Sequence, residues 1–320
     1  MKKCKNLFLP LIFLSFFTTI HAQTFNGDFK VVDEYVKSLG TLDTLNMGTI
    51  SYLVTKKFAS NTDKARAIFD WIAYNISFDT KAARNNGNEK MNSDNVLKTR
   101  KSNAAGYAAL FQDMCSVAKI RCLTVEGYVK NDLEQNEKPD EFNHTWNVVQ
   151  LGQSPDSWYY VDPTWGSGYT DEKLSTFTKA YNDAFFFADK RIFNYQHFPD
   201  NSAWLLGTGV KSEKDFFAMP IVKNHAYDFG ISNFSPSTGL IKANLNKPVR
   251  FSFKVGNQAA VDTVNLLIGA EKNKKLQTVY FSNNNSVVSF THKFEEEDTY
   301  PVTILINNKP VLAYIVEVTE

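Results

Sequence analysis

Residues 101–110, KSNAAGYAAL, divide into a polar approach and an apolar helix. Lys101, Ser102 and Asn103 lead into the small residues Ala104, Ala105 and Gly106. Beyond them Tyr107, Leu110, Phe111, Met114, Val117 and Ala118 recur at spacings of three and four, which predicts a helix opening at Ala104. The first turn of such a helix carries the positive end of the backbone dipole and favours a thiolate placed there. Ala104 stands at that place, and a methyl group offers no such chemistry.

Three strand-like runs follow downstream. Residues 121–129 are apolar and β-branched, 143–151 alternate, and 158–162 end at a Pro-Thr-Trp-Gly turn. His144 opens the second run and Asp162 closes the third. If these two strands are hairpin neighbours, the carboxylate reaches the imidazole, orients it and stabilises its cationic form. Such a pair serves a nucleophile on a third element. The charged segment 131–141 reads as an exposed loop beside the site.

Upstream, residues 28–57 hold two apolar-periodic segments, both read as helices. The strongest helix signal comes next, with Asn61 or Thr62 as cap, Asp63 in the first turn, and Ala67, Ile68, Trp71, Ile72 and Ile76 on one stripe. Residues 85–95 are polar and rich in Gly and Asn, an exposed loop. The chain starts with Lys2, Lys3 and Lys5, an apolar centre over 7–20 and the small residue Ala22. That pattern over residues 1–22 predicts a cleavable export signal rather than a membrane span, and so a periplasmic, cell-surface or extracellular destination.

The whole chain carries a net charge of +1, and three of its lysines sit in that leader. Nothing polybasic remains to recommend a nucleic-acid partner. Beyond the leader only Cys115 and Cys122 occur, readable either as a disulfide in an oxidising compartment or as plain core residues. No Cys/His cluster has metal-ligand spacing, so neither a metal nor a cofactor is expected. Trp146, Trp158 and Trp165 read as core packing.

Residues 183–189 (DAFFFAD) and 193–206 form an aromatic tail expected to wrap back over the core, with His197 as a packed residue rather than a site residue. Past about residue 213 short alternating runs appear at 249–255, 261–268, 287–294, 300–306 and 311–318. Separated by turn residues, they predict a small antiparallel β-sandwich of immunoglobulin-like type. His225 and His292 fall there without a partner that the sequence identifies.

Taken in order, ARAIFDWIAYNISFD (65–79), VLKTRKSNAAGYAALFQDMC (96–115), IRCLTVEGYVK (120–130), NHTWNVV (143–149), WYYVDPTWGSG (158–168) and FFFADKRIFNYQHFPDNSAWLLG (185–207) resemble the transglutaminase-like superfamily. The resemblance is to its secreted bacterial branch, which is similar to kyphoscoliosis peptidase and uses papain-like cysteine chemistry. It implies an α+β fold: a transglutaminase-like (papain-like) domain over 23–212, with helices packed on an antiparallel sheet, then the immunoglobulin-like sandwich over 213–320.

In that family the helix begins Gly-hydrophobic-Cys-x-Gly-Tyr. The Cys attacks an amide carbonyl, the strand His acts as base and then acid, and the Asp aligns the His. His144 and Asp162 match the last two positions, and Gly106-Tyr107 is kept. Ser102, Asn103 and Ala104 depart at the Gly, hydrophobic and Cys positions. The resemblance therefore implies a pseudoenzyme that has lost its nucleophile at Ala104 and whose cleft binds a peptide, protein or cell-wall ligand. The alternative is an active acyl-transfer enzyme or peptidase, working through another nucleophile such as Ser102 or silenced only by an engineered Cys-to-Ala change. Cys115 lies about 16 Å further along the same helix, too far to substitute.

Overall fold

Residues 27–320 are described in this computed structural model, apart from 87–90, 131–137, 155–156, 172, 257 and 271–272. The expected leader over 1–22 and most of the charged loop 131–141 lie outside the described residues.

The periodic segments near the start form α1 (Lys30–Leu39), α2 (Met47–Thr55) and α3 (Asn61–Asn75). α3 is buried without interruption from Ala65 to Ala73, so α1, α2 and two later helices can all pack around it. Its cap is Ser60, whose Oγ accepts the Asp63 N–H at 3.0 Å, and not Asn61 or Thr62 as expected. Three capping-competent residues stand in a row here, and the one just outside the helical dihedrals takes the role. Two ionisable α3 side chains, Arg66 and Asp70, are buried. Arg66 makes a two-pronged contact with Asp33 at 2.9 Å, reaches Asp70 at 3.1 Å, and lies over the rings of Phe29 and Phe186. Burial pushes the Asp70 carboxyl up to about 8 against the pull of Arg66.

β1 (Ser77–Phe78), α4 (Thr80–Asn86), α5 (Ser93–Thr99) and β2 (Lys101–Ser102) lead to α6 (Ala104–Val117), which opens where the sequence indicated. Arg100 closes α5 in a left-handed conformation, φ 56°. β1 and β2 then pair in parallel, Phe78 beside Ser102, which fixes the approach to α6.

β3 (Arg121–Val129), β4 (His144–Gln150) and β5 (Trp158–Val161) form an antiparallel meander on which α6 packs. Asn147 Nδ2 donates to Ala108 O at 3.0 Å and Gln112 Nε2 to Cys122 O at 3.1 Å, pinning helix to sheet. The expected Pro-Thr-Trp-Gly turn is a short helix, α7 (Pro163–Ser167). Asp162 caps it through the N–H groups of Thr164 and Trp165, and Pro163 fills the first position, where no N–H is needed.

The hairpin β6 (Gly168–Thr170) and β7 (Phe177–Lys179) precedes α8 (Lys190–Gln196) and β8 (His197–Pro199). The aromatic tail does wrap back. β8 takes the open side of β3 and completes a sheet of order β5-β4-β3-β8.

After α9 (Glu213–Ala218), β9 (Ile221–Val222) and α10 (Ala226–Phe229) the elements named among the described residues are all strands. In order these are β10 (Ser232–Ser235), β11 (Leu240–Asn244), β12 (Pro248–Lys254), β13 (Val264–Ile268), β14 (Lys275–Thr278), β15 (Ser282–Asn284), β16 (Val287–Lys293), β17 (Thr299–Ile306) and β18 (Lys309–Thr319). One sheet has the order β10-β12-β16-β15; the other runs β11-β18-β17-β13-β14, with β9 also on β18. Their inner faces share a core in which Phe251 meets Phe290 and Tyr314. The expectation of a purely antiparallel arrangement fails at β11, which pairs with β18 in parallel. Strands so far apart in sequence are not held to the reversal that a hairpin imposes.

The second core reaches back into the first half, since Tyr128, Ile192 and Phe198 pack with Phe216 and Phe217. Lys130 Nζ strengthens this junction by donating to Phe217 O and Met219 O. Among the described residues no helix is long and apolar enough to cross a membrane.

Candidate functional site

Ala104 occupies the first helical position of α6 and is 4% exposed. The corner in front of it is built from the two other residues that depart from the expected pattern. Asn103 is the N-cap: its side-chain oxygen takes the Gly106 N–H at 3.1 Å, and its carbonyl takes the Tyr107 N–H at 3.2 Å. The amide thereby occupies a first-turn donor that would otherwise be open to an anion.

Ser102 is fully buried, its Oγ lying 3.4 Å from Met91 Sδ. Gly106 makes room for it, since a Cβ there would lie 2.0 Å from Ser102 Oγ and 2.9 Å from Met91 Cβ. The hydroxyl weighed as an alternative nucleophile is thus packed beneath the first turn and closed to solvent. Tyr107 donates from its hydroxyl to Ile76 O at 2.7 Å and lies 3.1 Å from Ser167 Oγ, tying α6 to the end of α3 and to α7. Burial pushes this phenol well above its ordinary range.

The other half of the site forms as the sequence indicated. β4 and β5 are hairpin neighbours, Asn147 opposite Val161, and His144 Nε2 lies 2.6 Å from Asp162 Oδ2. The second carboxylate oxygen, Oδ1, accepts the Thr164 and Trp165 N–H groups at 2.9 and 3.0 Å.

A third residue joins them that sequence reasoning left out. His197, expected only to pack, is fully buried with Nε2 3.1 Å from the same Asp162 Oδ2. Its partner is 35 positions away and on the far side of β3, a relation no local pattern carries. The available hint was a histidine embedded in the aromatic run from Phe193 to Phe198.

Both imidazoles sit in an aromatic box. Phe193 lies flat on His197, ring centroids 3.8 Å apart and 8° from parallel, and Trp165 approaches His197 to 4.6 Å and His144 to 5.8 Å. Trp146 flanks both histidines, so two of the three tryptophans read as core, Trp146 and Trp165, also wall the site. Burial opposes ionisation of Asp162, but the charge and hydrogen bonds of His144 and His197 prevail and hold its carboxyl well below the usual range. Burial pushes His197 down to about 4 despite the pull of Asp162, which leaves it a neutral donor at pH 7.

The donor atoms of His144, Asp162 and His197 fall within 4.8 Å of one another, close enough to consider as metal ligands. Two donors on a tetrahedral zinc, each bonded at about 2.0–2.1 Å, stand roughly 3.3 Å apart. The observed 2.6 Å between His144 and Asp162 is a hydrogen bond instead, so the trio as arranged is bonded to itself.

Cys115 and Cys122 are free and buried, and burial pushes the Cys115 thiol well up, away from nucleophilic chemistry. His225 pairs with Asp228 at 3.0 Å, and His292 stands edge-on to Phe294 at 4.6 Å. A cavity of about 490 Å³ is bordered by Asp43, Asn46, Asp94, Lys98 and Arg100, apart from these groups. The arrangement thus presents a buried, hydrogen-bonded imidazole at His144, while Ala104, the position that the resemblance matches to the nucleophile, carries a methyl.

Comparison with known proteins agrees with a transglutaminase-like domain. A family model described as the transglutaminase-like superfamily matches residues 49–163, which include Ala104, His144 and Asp162 and stop short of His197. Kyphoscoliosis peptidase of Mus musculus is 37% identical over 185 residues, covering 57% of this chain and 28% of its own. The Homo sapiens protein of that name is 36% identical over the same shares. Hillarin of Drosophila melanogaster is 24% identical over 221 residues, covering 64% of this chain and 26% of its own. The chain thus spans between a quarter and a third of the length of these relatives.

Proposed function

Through residues 49–163 this chain belongs to the transglutaminase-like superfamily, and from that premise we propose that it is a catalytically silent member, exported from the cell, that binds a peptide, protein or cell-wall ligand instead of taking an acyl group from it. One observation carries the reading: the nucleophile position is Ala104, on a first turn whose Gly106 N–H is already occupied by the Asn103 side chain. A methyl cannot form a thioester. The C-terminal pair of sheets, read as an immunoglobulin-like module, serves as the docking element. Export rests on the leader pattern at residues 1–22.

A second reading has its own support. The His144–Asp162 pair is intact at 2.6 Å, as an active acyl-transfer enzyme or peptidase requires. The A104C variant separates the two. Under the silent reading the natural chain neither hydrolyses nor transamidates glutaminyl peptides, whereas A104C gains turnover. Turnover by the natural chain would refute silence. For the binding half, peptide or peptidoglycan fragments should raise the unfolding temperature of the natural chain in proportion to ligand concentration; no shift with either class sinks that half.

A further inference from the structure

His197 lies beyond the region matched by the family model, yet it bonds the same carboxylate oxygen as His144. Three strands must be in register for this. β4 sets His144 opposite Gly127 on one side of β3, and β8 sets His197 opposite Val129 on the other. Gly127 permits the close approach, because a Cβ there would meet Phe198 O at 2.3 Å and Trp146 Cη2 at 2.7 Å. His197 also caps the end of α8, its backbone N–H bonded to Phe193 O, while its ring is held flat on Phe193 and flanked by Trp146 and Trp165.

We propose that His197 is a positioning residue for the His144–Asp162 pair: by donating Nε2–H to Asp162 Oδ2 it fixes the rotation of the carboxylate, and through it the aim of the His144 ring. Asp162 Oδ1 is already anchored by two backbone N–H groups. His197 supplies the matching anchor on Oδ2. Without it that oxygen would be held only by the ring it has to orient, and carboxylate and imidazole could turn together. Because His197 stands on β8, the same bond couples the site to the segment leading into the C-terminal sheets.

The test uses the full chain labelled with ¹⁵N-histidine, compared with H197F, which keeps an aromatic ring but no donor, and H197Q, which restores an amide N–H. In the natural chain the His144 and His197 Nε2–H signals should both be hydrogen-bonded and slow to exchange. In H197F the His144 signal should move and exchange faster, and in H197Q it should return toward its natural position. A His144 signal unchanged in H197F, with the fold intact by circular dichroism, overturns the proposal. So does stoichiometric zinc binding that removes both Nε2 protons, since those nitrogens would then be ligands.

A second arm rests on the reading of Ala104 as the nucleophile position. It measures iodoacetamide alkylation against pH for A104C, A104C/H197F and A104C/H197Q, with the natural chain as blank for Cys115 and Cys122. The A104C thiol should react well below the ordinary thiol pKa. A104C/H197F should lose about tenfold at pH 5, the equivalent of one pKa unit, and A104C/H197Q should recover most of it. Superimposed profiles for A104C and A104C/H197F overturn the positioning role. An ordinary thiol profile in A104C itself overturns the nucleophile-position reading instead, and the imidazole signals still decide the role of His197.

Discussion

The start of α6 and the ends of β4 and β5, which the proposed function joins in one site, are treated differently by the sequence. At α6 the polar groups have turned inward to local partners: Asn103 caps Gly106 and Ser102 rests on Met91. At the strand ends Asp162 gathers four donors, from His144, His197, Thr164 and Trp165, and so clamps β4, β8 and α7 at once. The difference separates catalytic from structural duty. A buried carboxylate with that many bonds is needed for folding whether or not anything attacks a substrate, while the first residue of α6 has no such second duty. Under the proposed function, loss of a nucleophile with retention of its partners follows from this asymmetry and requires no remaining catalysis.

If the asymmetry is real, Asp162→Ala is the most damaging change at the site. It strands two imidazoles and two helix-start N–H groups in a buried box, and should cost about 3–5 kcal/mol in urea unfolding, as the loss of one partner from a buried charge cluster does. A cost below about 1 kcal/mol would mean that the clamp bears little of the fold.

The next effect is read against pH. The folded value for His197 is about 4 and its ordinary value 6.5, so the unfolded chain binds the extra proton first. Its contribution is therefore complete above pH 6.5 and is lost as the pH falls toward 4, by up to about 3 kcal/mol. H197F should flatten the stability profile in that window relative to the natural chain. Parallel profiles would show that His197 is not held neutral.

On the α6 side the effects are smaller and local. Gly106→Ala drives a Cβ into Ser102 Oγ and Met91, with an expected cost of about 1–3 kcal/mol. Ser102→Gly in the same chain should recover part of it, the signature of two residues in contact. Ser102→Ala alone, which removes only a weak contact to sulfur, should change stability by less than about 1 kcal/mol and leave any ligand binding unaltered. A large loss of either would reopen Ser102 as a functional hydroxyl.

The same contrast explains what could be read from the chain. α3, α6, β3 and β4 carry long periodic or alternating runs, and their limits came out within a residue or so. His144 and Asp162 were legible because each ends a strand of one hairpin, a relation that spacing conveys. Asp162-Pro163 held a helix-start signal, acid then proline, that was read as a turn. β14 and β15 were not legible, being exposed at every residue and so lacking alternation. His197 was missed for the opposite reason: its burial was plain from the aromatic run, but its partner depends on β8 crossing to the open side of β3, which only the assembled sheet defines.

The central claim, that attack has been lost while the proton-handling pair persists, is most directly tested by intact-mass measurement after acid quench. The natural chain and A104C would each be incubated with an activated acyl ester of a glutaminyl peptide. The account expects an unmodified mass for the natural chain and a single added acyl group, mapped to position 104, for A104C. A stoichiometric acyl adduct on the natural chain would contradict it.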